Sequence, residues 1–145
     1  MKLSTKGRYG VRLMLDLAVH YGEGPILLKD IAERQAISEK YLWQLIPPLK
    51  NAGLINSIRG AHGGYTLAKP PADITLKEIV TTLEGSMCLV ECVDDPSVCS
   101  RANTCVSRDI WHEVSGKILQ TLESVTLDYM IEKQKHKVEA FTYVI

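Results

Sequence analysis

The chain contains nothing that approaches the roughly 18 consecutive apolar residues of a membrane span. The apolar run after its basic start, MKLSTKGRYG, is broken by Arg12, Asp16 and His20, and no small-residue cleavage site follows. Net charge is absent too, since seventeen Lys and Arg balance seventeen Asp and Glu. There are no internal repeats or low-complexity tracts. Neither a phosphate-cradling loop nor a nucleophile, base and orienting group emerges as a set. These absences exclude an integral membrane protein, a collagen and a disordered tail, argue against an enzyme, and lead to the expectation of a cytoplasmic protein. With 145 residues, 46% of them hydrophobic, the chain has material for one modest core, with room for an oligomerising arm.

The zero charge conceals a split. Residues 1–70 carry ten Lys or Arg against five Asp or Glu, a net of +5, and residues 71–145 carry seven against twelve, a net of −5. A basic front half suits a polyanionic partner.

Apolar residues at Val11, Met14, Leu15, Ala18 and Val19 predict an amphipathic helix, with Ser4 or Thr5 to cap it and Gly22 and Gly24-Pro25 to end it. Leu28, Ile31 and Ala32 make a second, short helix ending before Ile37. Ser38 then caps a third with Leu42, Leu45, Ile46 and Leu49 inward, and Pro47-Pro48 predict a kink or early end near residue 46. Residues 54–59 and 65–68 read as a β-hairpin around the turn Gly60-Ala61-His62-Gly63-Gly64. Thr75-Leu76-Lys77-Glu78 is a capping-box pattern opening a fourth helix, with Leu76, Ile79, Val80 and Leu83 inward and Gly85 at its end. From Val106 to Val125 helical spacing persists for about twenty residues, longer than an average helix, and its apolar face needs a partner. Thr126-Leu127-Asp128 opens a further turn, and Phe141 to Ile145 reads as a short apolar strand.

Three helices followed by a hairpin with a basic, glycine-rich tip are the element order of a winged helix-turn-helix. The expected fold is therefore mainly α with a small β-hairpin, a winged helix-turn-helix followed by a long dimerisation helix. The N-terminal turn of the third helix offers free N–H groups and a helix dipole to phosphate, and its side chains can enter a major groove. Ser38, Lys40 and Tyr41 are candidate phosphate binders, and Gln44 carries an amide fork that suits an adenine edge. Trp43 is unexpected for base reading; it packs on a sugar or a thymine methyl, or on a neighbouring helix. Arg59 beside flexible glycines suits a narrow minor groove, and His62 a phosphate.

Four cysteines fall within 18 residues, in the pattern Cys88-x3-Cys92-x6-Cys99-x5-Cys105 with no C-x-x-C pair. Such clustering reads as one site rather than a disulfide frame. The spacing fits structural zinc only in part and matches neither common ferredoxin pattern. It leaves open an iron-sulfur cluster, another metal or redox thiol site, and no function.

The runs LSTKGRYGVRLMLDLA, ISEKYLWQLI and GLINSIRGAHGGYTLA resemble the Rrf family of bacterial winged-helix regulators, with Arg59-Gly60-Ala61-His62-Gly63-Gly64-Tyr65 as the most specific piece. The resemblance is dense over residues 1–85 and continues through the cysteine segment and the long helix. It implies a homodimer on a pseudo-palindromic double-stranded DNA operator, with base and phosphate contacts at Ser38, Lys40, Tyr41 and Gln44 and a wing inserting Arg59. Residues 1–85 would be the DNA-binding region, 86–104 the cysteine loop, and 105–145 the dimerisation helix and C-terminal segment.

IscR-like and NsrR-like members hold an iron-sulfur cluster on three loop cysteines, so the resemblance implies Cys92, Cys99 and Cys105 as ligands, the two-iron two-sulfur form being favoured over four-iron four-sulfur. Where IscR-like proteins supply a histidine, this chain has Arg108, which stays protonated and cannot ligate. Cys88, Glu91, His112, the other subunit or a small molecule remain for the fourth position. Many IscR-like members carry an acidic residue where this chain has Trp43. The C-terminal EAFTYVI resembles the CymR-like branch, which implies the alternative of a cysteine and sulfur metabolism repressor controlled by a partner enzyme, with no cluster.

Overall fold

The computed structural model describes residues 2–144. Helices α1 (Thr5–Val19), α2 (Leu28–Gln35) and α3 (Glu39–Asn51) precede a hairpin of β1 (Ile55–Ile58) and β2 (Gly64–Leu67). Helix α4 (Leu76–Glu84), the single turn α5 (Glu91–Asp94), and the long helices α6 (Val106–Ser124) and α7 (Leu127–Val144) follow. The two strands pair antiparallel, Ile55 opposite Leu67 and Ile58 opposite Gly64. The fold is thus mainly helical with one hairpin, as the element order predicted.

Helix α1 sits at the centre, packed by α2, α3, α4, β2 and α7. Its first turn is closed from two sides. Ser4 Oγ accepts from the Gly7 N–H, and the Glu84 carboxylate, at the far end of α4, accepts from the Ser4 and Gly7 N–H groups at 2.9 and 3.0 Å. A Cβ at Gly7 would overlap that carboxylate, so glycine is what allows α4 to approach. The buried face of α1 is Leu13, Met14, Leu17 and Ala18, while Val19 is exposed and Leu15 and Val11 only half-buried. The expected stripe was therefore rotated: a helix surrounded on several sides has no single apolar face to read.

Helix α3 runs through Pro47 and Pro48 to Asn51, without the expected early end. Leu42, Leu45 and Leu49 are fully buried and hold it in place, and the carbonyls deprived of an N–H partner belong to Trp43 and Gln44 on the exposed side, where water can satisfy them. Helix α2 ends at Ala36, whose left-handed φ of 53° returns the chain into Ile37 and the Ser38 cap.

After α6 leaves the body, α7 returns to it. Leu127 is fully buried in the main core, its N–H bonds to the Ile74 carbonyl at 3.0 Å, and the Leu76 N–H bonds to the Val125 carbonyl at 2.8 Å. The expected strand at 141–145 is instead the last turn of α7 as far as Val144, with Ile145 outside the described residues. With no strand beside it among the described residues, the segment continues α7 and satisfies its backbone internally.

The capping box of α4 is complete: the Glu78 N–H donates to Thr75 Oγ1 at 3.2 Å, and Glu78 Oε2 accepts from the Thr75 N–H at 3.0 Å. Partial burial acts to raise the Glu78 pKa, but the bonds from Thr75 and Lys69 outweigh it and hold the carboxyl below its ordinary value. A depressed folded-state pKa gives stability that is present above the unfolded value and lost as pH falls through the folded one. Urea denaturation should therefore show the stability gap between the protein and Glu78→Gln narrowing as pH drops below about 4.5; a gap independent of pH would show that the carboxylate charge contributes nothing.

Candidate nucleic-acid interface and cysteine loop

The N-terminal turn of α3 projects from the body. Ser38, Glu39, Lys40 and Gln44 are exposed. Ser38 Oγ accepts from the Tyr41 N–H at 3.0 Å, so this side chain is first a helix cap, and its hydroxyl hydrogen remains available to an acceptor. Tyr41 is half-buried, its ring edge-on to Tyr9 of α1 at 5.5 Å, which places a phenol beside the exposed turn rather than in it. Arg12 and Arg8 lie 5.4 and 6.0 Å from the centre of the Tyr9 ring, which adds two cations from α1 that sequence reading had not singled out.

The wing is built from the hairpin. Arg59 and His62 are both exposed at its tip. Tyr65 exchanges two backbone bonds with Ile26, at 2.9 and 2.8 Å, and Lys50 Nζ donates to Ser57 Oγ at 2.8 Å, so the hairpin is tied both to the α1–α2 connection and to the end of α3. Gly64 has φ 151°, and a Cβ there would press on the Ile26 backbone.

Trp43 does not lie on a neighbouring helix. Its ring meets Tyr65 of β2 edge-on at 6.2 Å, and it remains 53% exposed. It thus bridges the third helix to the wing. Burial pushes the Tyr65 phenol above its ordinary pKa, consistent with a ring used for packing.

The helix-turn-helix is locked by a group that sequence patterning treats only as a break in an apolar run. Asp16, 4% exposed, accepts two bonds from the Arg34 guanidinium at 3.1 and 2.7 Å and one from Gln35 Nε2 at 2.9 Å. The Asp16 bonds raise the Arg34 pKa further, against a smaller effect of burial. Arg12 bonds the Gln35 side chain and carbonyl from the other side. The i, i+18 and i, i+19 separations leave no periodic trace in the sequence.

The cysteines occupy the connection between α4 and α6. Cys92 lies in α5, Cys99 follows a short turn, and Cys105 immediately precedes α6, without a side-chain bond to its first turn. Cys99 is exposed and the other three are half-buried. Arg108 Nε donates to the Cys92 carbonyl at 2.8 Å, tying α5 to the first turn of α6 just beyond Cys105. Three soft thiols on one loop suit iron by donor type. Among the described residues, however, no three His, Cys, Asp or Glu side chains converge as a metal site, so the loop does not gather Cys92, Cys99 and Cys105 in this arrangement.

Cys88 is engaged otherwise. Its thiol donates to Asp94 Oδ1 at 2.8 Å, which, helped by burial, raises its pKa and keeps the proton on sulfur. His112 and Glu91 are both exposed. Ser115, 2% exposed in the middle of α6, accepts from the Leu89 N–H at 3.2 Å and pins the start of the loop to that helix. Beyond the loop, α6 exposes Val106, Ile110, Trp111 and Val114, the unpaired stripe expected from its spacing. No helix among the described residues is long and apolar enough to cross a membrane.

Residues 3–133 match the family model Rrf2, described as an iron-dependent transcriptional regulator. The chain is 41% identical over 145 residues to the HTH-type transcriptional regulator CymR of Bacillus subtilis strain 168, covering both chains completely. The solved structure of CymR, the global cysteine regulator of B. subtilis, superposes with a TM-score of 0.78 at 43% identity, over 92% of this chain and 98% of that one. The structure of T. potens IscR superposes with a TM-score of 0.76 at 46% identity, over 92% and 88%.

The wing geometry makes a direct prediction. Gly64→Ala should destabilise the protein by about 1 to 3 kcal/mol, the cost of a strained backbone at one residue, and should raise amide exchange at Tyr65 and Ile26. Unchanged exchange at those two amides would mean the hairpin is not held as described.

Proposed function

The chain belongs to the Rrf2 family and is a DNA-binding transcriptional regulator rather than an enzyme; from that premise we propose that it is a homodimeric cytoplasmic repressor or switch whose operator binding is controlled by an iron-sulfur cluster on Cys92, Cys99 and Cys105. The observation that carries this reading is the position of the three thiols, on the connection that leads from the winged-helix body into the helix with the unpaired apolar stripe.

Residues 1–85 bind DNA, 86–104 form the sensing loop, and 105–145 pair the two copies and return to the body. Ser38, Lys40, Tyr41 and His62 meet phosphate, Gln44 meets a base edge and Arg59 enters the minor groove of each half of a pseudo-palindromic operator. Val106, Ile110, Trp111 and Val114 bury against the same residues of a second copy, which fixes the spacing of the two heads.

When bound, a cluster would supply an iron- and oxidation-sensitive link between α5 and the start of α6. The chain itself provides the transmission. Arg108 holds α5 to α6, Ser115 holds the loop to α6, and α6 packs on α4, which caps α1 through Glu84. Arg108 occupies the place of the histidine ligand of IscR-like proteins and serves as a clamp, so the fourth ligand comes from elsewhere. Cys88, with its proton held by Asp94, is poorly suited to it.

A second reading is a CymR-like repressor of cysteine or sulfur metabolism that holds no cluster and is controlled by a docked partner enzyme. It is favoured by the end-to-end likeness to CymR and by the last turns of α7, which leave Phe141 and Tyr143 69% and 94% exposed.

Protein isolated without oxygen should show visible cluster absorbance, and Cys92→Ala should abolish it. A preparation that stays colourless after reconstitution with iron and sulfide would favour the second reading, and a full spectrum in Cys92→Ala would exclude that ligand. Arg59→Ala should weaken operator binding about tenfold, the worth of one charged groove contact, and binding should fall steeply between about 50 and 200 mM salt as counterions are released. A flat salt dependence would contradict groove binding by a dimer.

A further inference from the structure

A cleft of about 460 Å³ lies between α2 and the tip of the wing. Sites for small molecules run from about 300 to 1,000 Å³. One wall is the α1–α2 connection, a second is the face of α2 that carries Asp30 and Arg34 one turn apart, and the third is Ala61, His62 and Gly63 of the wing tip. The walls are fixed to one another by the two backbone bonds between Ile26 and Tyr65, and the tip is closed by the Gly63 N–H, which donates to the Gly60 carbonyl at 3.0 Å. The cleft is therefore shaped before a ligand arrives, which lowers the cost of filling it.

Charges of both signs face this space without neutralising one another. Asp30 is half-buried in the first turn of α2, and its carboxylate has no hydrogen-bond or ion-pair partner among the described residues. Arg34 gives Nε and Nη2 to Asp16, which leaves Nη1 without a partner among the described residues. The Arg34 pKa is raised first by the Asp16 bonds and then by the charges of Asp16, Asp30 and Glu23, so the last two carboxylates act on the guanidinium across the cleft without bonding it. Glu23 meets His20, whose Nδ1 lies 2.6 Å from its carboxylate. Between the charged groups the lining is apolar, at Pro25, Leu27 and Ala61.

This mixture selects among ligand classes. A simple anion would meet Arg34 and His62 but also two carboxylates, and a simple cation would meet the carboxylates but also the guanidinium. A molecule with an ammonium and a carboxylate a few bonds apart satisfies both sides. The ammonium brings three donors to a half-buried carboxylate that lacks one, and a compact apolar side chain covers Pro25, Leu27 and Ala61. We infer that the cleft is an effector site for a zwitterion of the free α-amino-acid class, its ammonium on Asp30 and Glu23 and its carboxylate on Arg34 Nη1 and an N–H of His62. The site itself stands on the cleft, whereas its effect rests on the DNA-binding reading above, in which His62 meets phosphate. The ligand carboxylate and an operator phosphate then compete for one imidazole, so the amino acid weakens DNA binding.

The site is tested without DNA, by recording amide spectra of the full chain during titration with L-valine to millimolar concentration. Saturating shifts are expected at Asp30, Arg34, His62 and Gly63. L-Valinamide lacks the carboxylate and N-acetyl-L-valine lacks the ammonium, and each should bind about tenfold more weakly, as should L-valine to Asp30→Asn, since each change removes one charged hydrogen bond. Glu23→Gln, outside the helices, serves as a second variant and should weaken binding in the same direction. No shifts with L-valine, glycine or L-glutamate, shifts centred elsewhere, or equal binding of the amide or the N-acetyl compound would overturn the inference and leave the DNA-binding reading intact.

The effect is read separately, on a duplex that the full chain selects from a random library. Operator affinity should fall in L-valine, and the fall should vanish in Asp30→Asn. Valine bound in the cleft with operator affinity unchanged overturns the effector role. Failure to select any duplex overturns the DNA-binding reading, while the amide spectra still decide the site.

Discussion

The arrangement of the exposed first turn of α3, the proposed DNA-reading element, depends on one buried carboxylate. Asp16 faces away from water on the central helix, and its two oxygens accept three bonds from Arg34 and Gln35 at the end of α2. A carboxylate that has lost its hydration must find donors, and the donors are set at the point where α2 gives way to the turn at Ala36 and the cap at Ser38. The angle between α2 and α3 follows, and with it the direction in which the first turn of α3 leaves the body. Arg12 closes the network from α1, so one charge on one helix positions the two helices that follow.

The same central helix carries the second end of the molecule. Glu84, the last residue of α4, caps α1, and α4 in turn supports α6. The cysteine loop, which follows α4, is tied to α6 by two bonds, from the Leu89 N–H to Ser115 and from Arg108 to the Cys92 carbonyl. The helix-turn-helix and the thiols are therefore connected through packed helices with few intervening elements. In the proposed regulator a change in the order of the loop acts first on α6 and through it on α4, the kind of route that a ligand-biased two-state element requires.

Much of this was legible from residue order. The Ser4 and Ser38 caps, the Thr75-to-Glu78 capping box, the inner face of α3 and the hairpin around Gly60 to Gly64 all rest on contacts between residues a few positions apart, and each was found where local rules placed it. The exposed positions of Lys40, Gln44, Arg59 and His62 followed from the same patterns. The errors share a cause. The stripe on α1 was misread because that helix is packed on several sides. The stop at Pro47-Pro48 did not occur because Leu45 and Leu49 are buried beneath it, and the expected strand at the C-terminus is helix because no strand among the described residues lies beside it to pair with. In each case burial by distant elements outweighed a local preference.

Periodicity, caps, glycines and the clustering of cysteines were enough to specify a winged helix-turn-helix, a long unpaired helix and a thiol-bearing loop, because those features are encoded within one or two turns of chain. The clamp of Asp16 on Arg34, the bridge from Trp43 to Tyr65, the capture of the Cys88 proton by Asp94 and the return of α7 to the core join residues 18 or more positions apart, or, for Cys88 and Asp94, across an irregular loop. No spacing rule reaches across such separations. They were decided by which surfaces come into contact once the chain is folded, where a desolvated charge or an exposed ring takes the partner that geometry puts within reach.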